Sequence, residues 1–421
     1  MPSLPSGAAA LRTGIVGFSA IASGVGSYVL LIVVSKHTDA LGYSDFAVFW
    51  SLTVTIGLGF FYPIEQETAR EVSGRAASTA SGLAKFVVSA AAVVALIASA
   101  LALGLLTPAG LDFIGMPGLI VALIASFAAY AVQFPIRGML SGAGRTTSYS
   151  SVIAVEGLLR VILPVAFALL GFTSPVLFAF VVAAAAALAV VPALLQRDRG
   201  WLNHARVPAR TFASRAGRLI VAAFSIQLLL NSGTLLARGF ADGDDAALAG
   251  QILACLSIAR IPVFAYQVLQ ILYLPRLASQ WKTGAFDAVR TTLLVAGSAA
   301  IAVGAAVVGG MVLLGGWVTA LLFGPDLVLS TAGIALVSSG VAIFIVALVM
   351  SDGAVALGSH TLVVRSWVVA LLCAVPVAVV ADDLLLRVTL PFIVGSLAAL
   401  AQLLIGIGRR YRARSHQSSH G

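Results

Sequence analysis

The sequence predicts an all-α protein that crosses a membrane about twelve times. Two observations carry this. Of 421 residues, 60% are hydrophobic and only 10% are charged, against about 25% charge in an ordinary soluble domain. The apolar residues also come in runs of about twenty, the length that spans about 30 Å of hydrocarbon as a helix. The first run, Thr13 to Val34, holds no charge. It exceeds a signal-peptide apolar region of about 7–15 residues, so it reads as a retained membrane helix. Further helices are expected near 45–64, 86–106, 118–136, 150–170 and 175–195. A second set is expected near 219–238, 247–274, 291–314, 328–351, 364–381 and 388–408. The stretch Trp317 to Leu329, with Gly324, Pro325 and Asp326, reads as an external loop.

An even number of spans puts both termini on one side. Of the 25 Lys and Arg residues, twenty fall on that side of the twelve-span reading and three on the other. Positive-inside bias therefore assigns both termini to the cytoplasm, in a multi-pass protein of the cytoplasmic membrane. The acids Asp39, Asp45, Asp112, Asp326 and the cluster Asp242-Gly243-Asp244-Asp245 fall in the external loops, the cluster reading as a solvated turn. The net charge of +9 is thus a topology signal, with anionic membrane lipids rather than nucleic acid as its partner. The chain divides into an N-terminal six-helix lobe (1–196), a basic cytoplasmic linker (197–218), a C-terminal six-helix lobe (219–408) and a basic tail (409–421). The turns Lys36–Ala47 and Arg238–Ala247 resemble each other faintly, as in a parallel repeat about an axis along the membrane normal.

Several polar residues lie where hydrocarbon makes them costly. Glu156 and Arg160 are four residues apart on one helical face of the fifth span. A charge at a helix centre costs about 2.5–3.5 kcal/mol, so both should face protein or water. They read either as a packing pair or as a cavity site, with Arg160 offered to phosphate and Glu156 to a coupling ion. Arg260 has no acid nearby in sequence, and Pro262 follows two residues later and should disturb the helix. It reads as an anion-binding cation or as a packing arginine that satisfies carbonyls. Gln267 continues its face, with Gln270 beside it. Gln227, Asn231, Thr234 and Arg238 form a polar stripe on the seventh span, facing a cavity or gluing helices together. Cys255 and Cys373 lie in apolar runs, and the five histidines are scattered. No metal or nucleotide motif occurs, so neither a cofactor nor enzymatic chemistry is expected. Mid-span arginines outnumber mid-span acids two to one in this reading, which favours an anionic cargo.

Two segments resemble a known family. Leu41-Gly42-Tyr43-Ser44-Asp45-Phe46-Ala47 leads into a span closing on Pro63-Ile64-Glu65-Gln66-Glu67-Thr68-Ala69-Arg70. Ile258-Ala259-Arg260-Ile261-Pro262 runs on to Leu274-Pro275. Both are similar to the polysaccharide-transporter branch, the Wzx-like flippases, of the multidrug/oligosaccharidyl-lipid/polysaccharide exporter superfamily. The sharp motifs cover about 60 residues, and many family members have fourteen spans rather than twelve. The resemblance implies two six-helix lobes around a central cavity working by alternating access. It implies a polyprenyl-pyrophosphate-linked oligosaccharide as cargo and envelope glycosyltransferases or a polymerase as neighbours in the pathway. Only Arg70 and Arg260 match family arginine positions by motif; Arg160, Arg238, Gln227, Asn231 and Gln267 in the expected binding set, and Glu156 as the expected coupling residue, rest on the reading of the residues themselves. A multidrug exporter of the same superfamily, a membrane-embedded glycosyltransferase or polymerase, and a scaffold for envelope assembly are the alternatives. The short external loops speak against the enzyme.

Overall fold

The computed structural model describes residues 7–74, 82–196, 208–241 and 246–418. The acidic turn at Asp242, Asp244 and Asp245, the linker arginines Arg197, Arg199 and Arg206, and Arg75 lie outside the described residues. Among the described residues every regular element is helical, and eleven helices are long and apolar enough to cross a membrane. Two compact units form, one up to Gln227 and one from Leu228 onward.

The first unit opens with α1 (Gly7–His37). The second span joins α2 (Ala40–Ile56), a π turn (Gly57–Phe61) and α3 (Tyr62–Ser73). Then come α4 (Gly82–Leu103), the short α5 (Pro108–Ile114), α6 (Pro117–Gly142), α7 (Thr146–Leu169), α8 (Pro175–Ala189) and the one-turn α9 (Val191–Leu194). The helix α10 (Ala209–Phe240) carries the seam between the units. Beyond it lie α11 (Ala246–Ala259), α12 (Ile261–Lys282), α13 (Phe286–Phe323), α14 (Thr331–Ala356), α15 (His360–Val380) and α16 (Leu384–Ser418). The eighth expected span is the α11–α12 pair, broken at Arg260 just ahead of Pro262. A proline in that place has no N–H for the ladder and clashes with the carbonyl four residues back. The same chemistry explains the π turn, which precedes Pro63.

Three boundaries differ from expectation. Trp317 to Phe323 continue α13, and the chain turns only at Gly324, whose φ of +112° suits glycine, followed by Pro325. The apolar run Trp317–Phe323 has no reason to leave the helix. Arg210, Arg215 and Arg218 belong to α10 rather than to a loop. Asp45 lies in α2 and is buried rather than in an external loop. Its carboxylate fills the place a Gly115 side chain would take, and Gly115 has φ +86°.

Helix crossings in the first unit are made by small residues. At Gly157 a Cβ would stand 2.6 Å from Ser23 Cα, and the Gly157 carbonyl in turn occupies the Cβ position of Gly26. These two glycines let α1 and α7 touch backbone to backbone, as small residues do where lipid gives no hydrophobic drive to association. Gly138 and Gly142, one turn apart on α6, meet the Glu65 and Ala69 backbone of α3 in the same way. The outer surfaces are apolar: Leu313 is 82% exposed and Val380 77%. The crossing predicts a contrast. Gly157→Val should destabilise the protein by about 1–3 kcal/mol through overpacking. Gly217→Ala, on α10 with nothing within 4 Å, should be neutral or stabilise by up to about 1 kcal/mol. Thermal unfolding in detergent micelles compares the two.

Candidate functional site

The first unit gathers its buried charges on one core. On α7, Tyr149, Glu156 and Arg160 recur at seven and four residues, so they share a face. On α6, Gln133 and Arg137 are one turn apart and face them. Arg160 Nη2 donates to Glu156 Oε1 at 2.5 Å, and its Nη1 donates to Ser27 Oγ of α1 at 3.1 Å. Its guanidinium also sits 5.6 Å from the Trp50 ring of α2. Gln133 Nε2 donates to Glu156 Oε2 at 2.8 Å. Arg137 reaches both acids, with Nε 3.0 Å from Glu65 Oε2 and Nη1 3.9 Å from Glu156 Oε2. The Tyr149 hydroxyl donates to Glu65 Oε1 at 3.0 Å. The Arg137 guanidinium stacks over Phe134 at 4.9 Å. Two arginines and two glutamates thus neutralise each other, tying together α1, α2, α3, α6 and α7. Arg160 is only 8% exposed and already held on three sides.

A second network lies at the far end of α3. Glu67 and Glu71 are buried, while the Arg70 side chain is half exposed and pairs with both. Arg215 of α10 joins Glu71 at 3.1 Å. Arg70 therefore serves a local ion network that fastens the start of α10 to α3.

Among the described residues of the second unit the buried acid is Asp352, near the end of α14. The α12 residues Tyr266, Gln270 and Tyr273 share one face at steps of four and three. The Tyr266 hydroxyl donates to Asp352 Oδ2, and Gln270 Nε2 donates to Oδ1 at 2.7 Å. Tyr273 donates to the Val349 carbonyl at 3.1 Å. Among the described residues both partners of the Asp352 carboxylate are neutral. Arg260, half-buried at the α11–α12 break, has a partner that its own stretch of sequence does not supply: Nη1 donates to Asn231 Oδ1 at 3.4 Å. It lines a cavity of about 10 Å³ with Leu230, Leu256 and Phe392, at the lower limit for one water. Asn231 and Thr234 are buried, and Gln227 and Arg238 are half-buried on the same helix. The Gln267 side chain lies outside the described residues. Among the described residues no three His, Cys, Asp or Glu converge to hold a metal ion.

The acids Glu65 and Asp352 and the cation Arg137 fall just beyond the expected span ends, where an apolar run stops but the helix does not. Their signal was spacing: Gln133/Arg137 and Tyr266/Gln270/Tyr273 each mark one helical face. They also overturn the expected interior balance. Among the described residues the buried charged side chains are Asp45, Glu65, Glu67, Glu71, Glu156, Asp352 and Arg160, with the Arg137 side chain 13% exposed beside them, so buried acids outnumber buried arginines.

No protein-family model matches this chain. No curated protein matches its sequence. Solved structures do match its fold. A multidrug resistance MATE family transporter of the MOP superfamily, in an inward-facing conformation, aligns with a TM-score of 0.72 at 15% identity, covering 94% of this chain and 96% of its own. A eukaryotic MATE transporter aligns at 0.65 and 17% identity over 97% and 98%. A MOP superfamily transporter from Pyrococcus furiosus, whose binding pocket of reverse polarity suggests a different function for it, aligns at 0.66 and 13% over 96% and 95%. The chain therefore has the fold of the MATE transporters.

The charge cluster carries its own forecast. Arg160→Ala leaves the buried Glu156 carboxylate with only the distant Arg137 guanidinium at 3.9 Å as counter-charge and should destabilise by up to about 3–5 kcal/mol. Glu156→Gln combined with Arg160→Met should cost clearly less, because no uncompensated charge remains. Chemical denaturation of the purified variants in mixed micelles measures both; equal losses would mean that the pair is not coupled.

Proposed function

We propose that this protein is a membrane transporter that exports amphipathic organic cargo, preferentially cationic, by alternating access. The observation that carries the reading is the acidic interior, on a fold shared with MATE transporters. A cavity that must attract a lipophilic cation needs negative charge not already cancelled. In the first unit Glu65 and Glu156 are matched by Arg137 and Arg160. In the second, Asp352 is held by a phenol and an amide, which orient it without neutralising it. Asp352 is therefore the carboxylate through which the second unit would handle positive charge, whether cargo, proton or sodium ion. Ion coupling was expected at Glu156, whose oxygens are engaged by Arg160 and Gln133. The Lys/Arg bias supports a cytoplasmic-membrane location with both termini inside.

A second reading, flipping of a lipid-linked saccharide, draws on Arg260 at the helix break beside Asn231 and on the motif resemblance around it. In that case Arg260 would grip the pyrophosphate, since a guanidinium fork meets phosphate oxygens with two bonds. The 10 Å³ cavity at Arg260 has no room for a sugar within that unit.

The two readings part on two substitutions. Asp352→Asn should reduce ethidium efflux from whole cells about tenfold or more, the equivalent of at least roughly 1.4 kcal/mol. Expression and thermal stability should stay near wild type, and Asp352→Glu should retain part of the efflux. Wild-type efflux in Asp352→Asn, with loss of envelope-saccharide export in Arg260→Ala, would support the flippase instead.

A further inference from the structure

A second, larger cavity opens at the end of the second unit where α14 stops, α15 starts and α16 runs out. It measures about 390 Å³ and is lined by Ser359, Thr361, Arg365, Ile405, Arg409 and Arg410, among others, and its lining holds no acid. Helical spacing builds it. Thr361 and Arg365 are one turn apart on α15, and Ile405 and Arg409 one turn apart on α16, so a polar group and a cation or an apolar group and a cation share each row. Two glycines make the room. Leu362 packs where a Gly406 side chain would stand, with Cγ at 3.0 Å, which draws α15 and α16 together beneath the cavity. Gly358 turns the chain at φ +71°, and Arg410 Nη2 lies 3.6 Å from its Cβ position.

The start of α15 adds donors. Ser359 stands at the N-cap, yet its side chain makes no capping bond. The first backbone bond into the helix runs from Val363 N to the Ser359 carbonyl at 3.2 Å. The amides before it have no acceptor inside the helix, and such a terminus favours an anion. The surroundings belong to a membrane surface. Ile405 is 55% exposed and Leu404 51%, on the same stretch of α16. Trp281, Phe286 and Tyr411 form an aromatic chain at this end of the unit, with ring centroids 5.6 and 6.1 Å apart. Aromatic residues of this kind collect at headgroup level.

We infer that this cavity is a binding site for the phosphate headgroup of an anionic phospholipid. Three guanidiniums supply forked donors to phosphate oxygens, and two hydroxyls and a helix N-terminus add single ones. The exposed apolar flank of α16 takes the acyl chain, which a free phosphate would leave unused. Basic pockets between membrane helices bind anionic headgroups in this manner. The site is separate from Asp352 and from the Arg260 cavity, and it stands whichever cargo the protein carries.

Native mass spectrometry of the purified full-length protein in mixed micelles tests it, with phosphatidylglycerol and phosphatidylcholine as probes. Wild type should retain phosphatidylglycerol over phosphatidylcholine by about tenfold or more. The combined Arg365→Gln, Arg409→Gln, Arg410→Gln variant should lose that preference. A charge-matched control, Arg218→Gln, Arg276→Gln, Arg290→Gln, all exposed positions, should keep it. Arg365→Gln alone, at an exposed side chain that leaves folding undisturbed, should weaken it. Equal retention of the two lipids by wild type would overturn the site, as would equal loss in the control. Displacement of phosphatidylglycerol by soluble glycerol phosphate would show a free-anion site and overturn the lipid assignment.

Discussion

Hydrocarbon offers no hydrogen bonds, so each polar group carried into it must find its partner within the protein. That constraint organises this chain. Glu65, Gln133, Arg137, Tyr149, Glu156 and Arg160 come from three helices and satisfy one another, with Ser27 and Trp50 closing the cluster from two more. Such a network cannot form at arm's length. The glycine crossings of α1 with α7 and of α3 with α6 bring the backbones close enough for these side chains to meet. The π turn before Pro63 shifts the register of α3 relative to α2 within the same span, and Trp50 and Glu65, on either side of it, both reach the cluster.

The two units answer the constraint differently. The first balances acid with arginine and buries the result, which makes it a rigid polar core. Charge pairs of this kind add little net stability, because desolvation offsets their attraction, but breaking one is costly. The second unit holds Asp352 with neutral donors and keeps Arg260 with an amide. A carboxylate held, among the described residues, by a phenol and an amide carries no matching charge from them. That asymmetry assigns structural work to the first cluster and leaves the acid of the second to respond to charge.

Much of the helical fold was legible. Apolar run length located the spans, and Pro262 marked a disturbance in the eighth span that the structure resolves as a break at Arg260. The i,i+4 spacing of Glu156 and Arg160 located the first pair of the cluster. The rest was hidden for one physical reason. A hydropathy reading ends a helix at the first charge, because it assumes that charge means water. Glu65, Arg137 and Asp352 sit beyond apolar runs ending near 64, 136 and 351, yet α3, α6 and α14 continue past them. There the solvent is other helices, and partners distant in sequence replace water. Counting only mid-span charges then made arginine appear to dominate, whereas among the described residues most buried charged side chains are acids. The link between Arg260 and Asn231 crosses two helices and leaves no trace in local spacing.

Transport by purified protein in liposomes is the most direct test of the central claim, that an acidic interior moves positive charge. Uptake of a lipophilic cation would be measured beside that of an anionic analogue of the same size, under an imposed proton or sodium gradient. The account predicts gradient-driven movement of the cation and none of the anion. Movement of the anion with exclusion of the cation would contradict it.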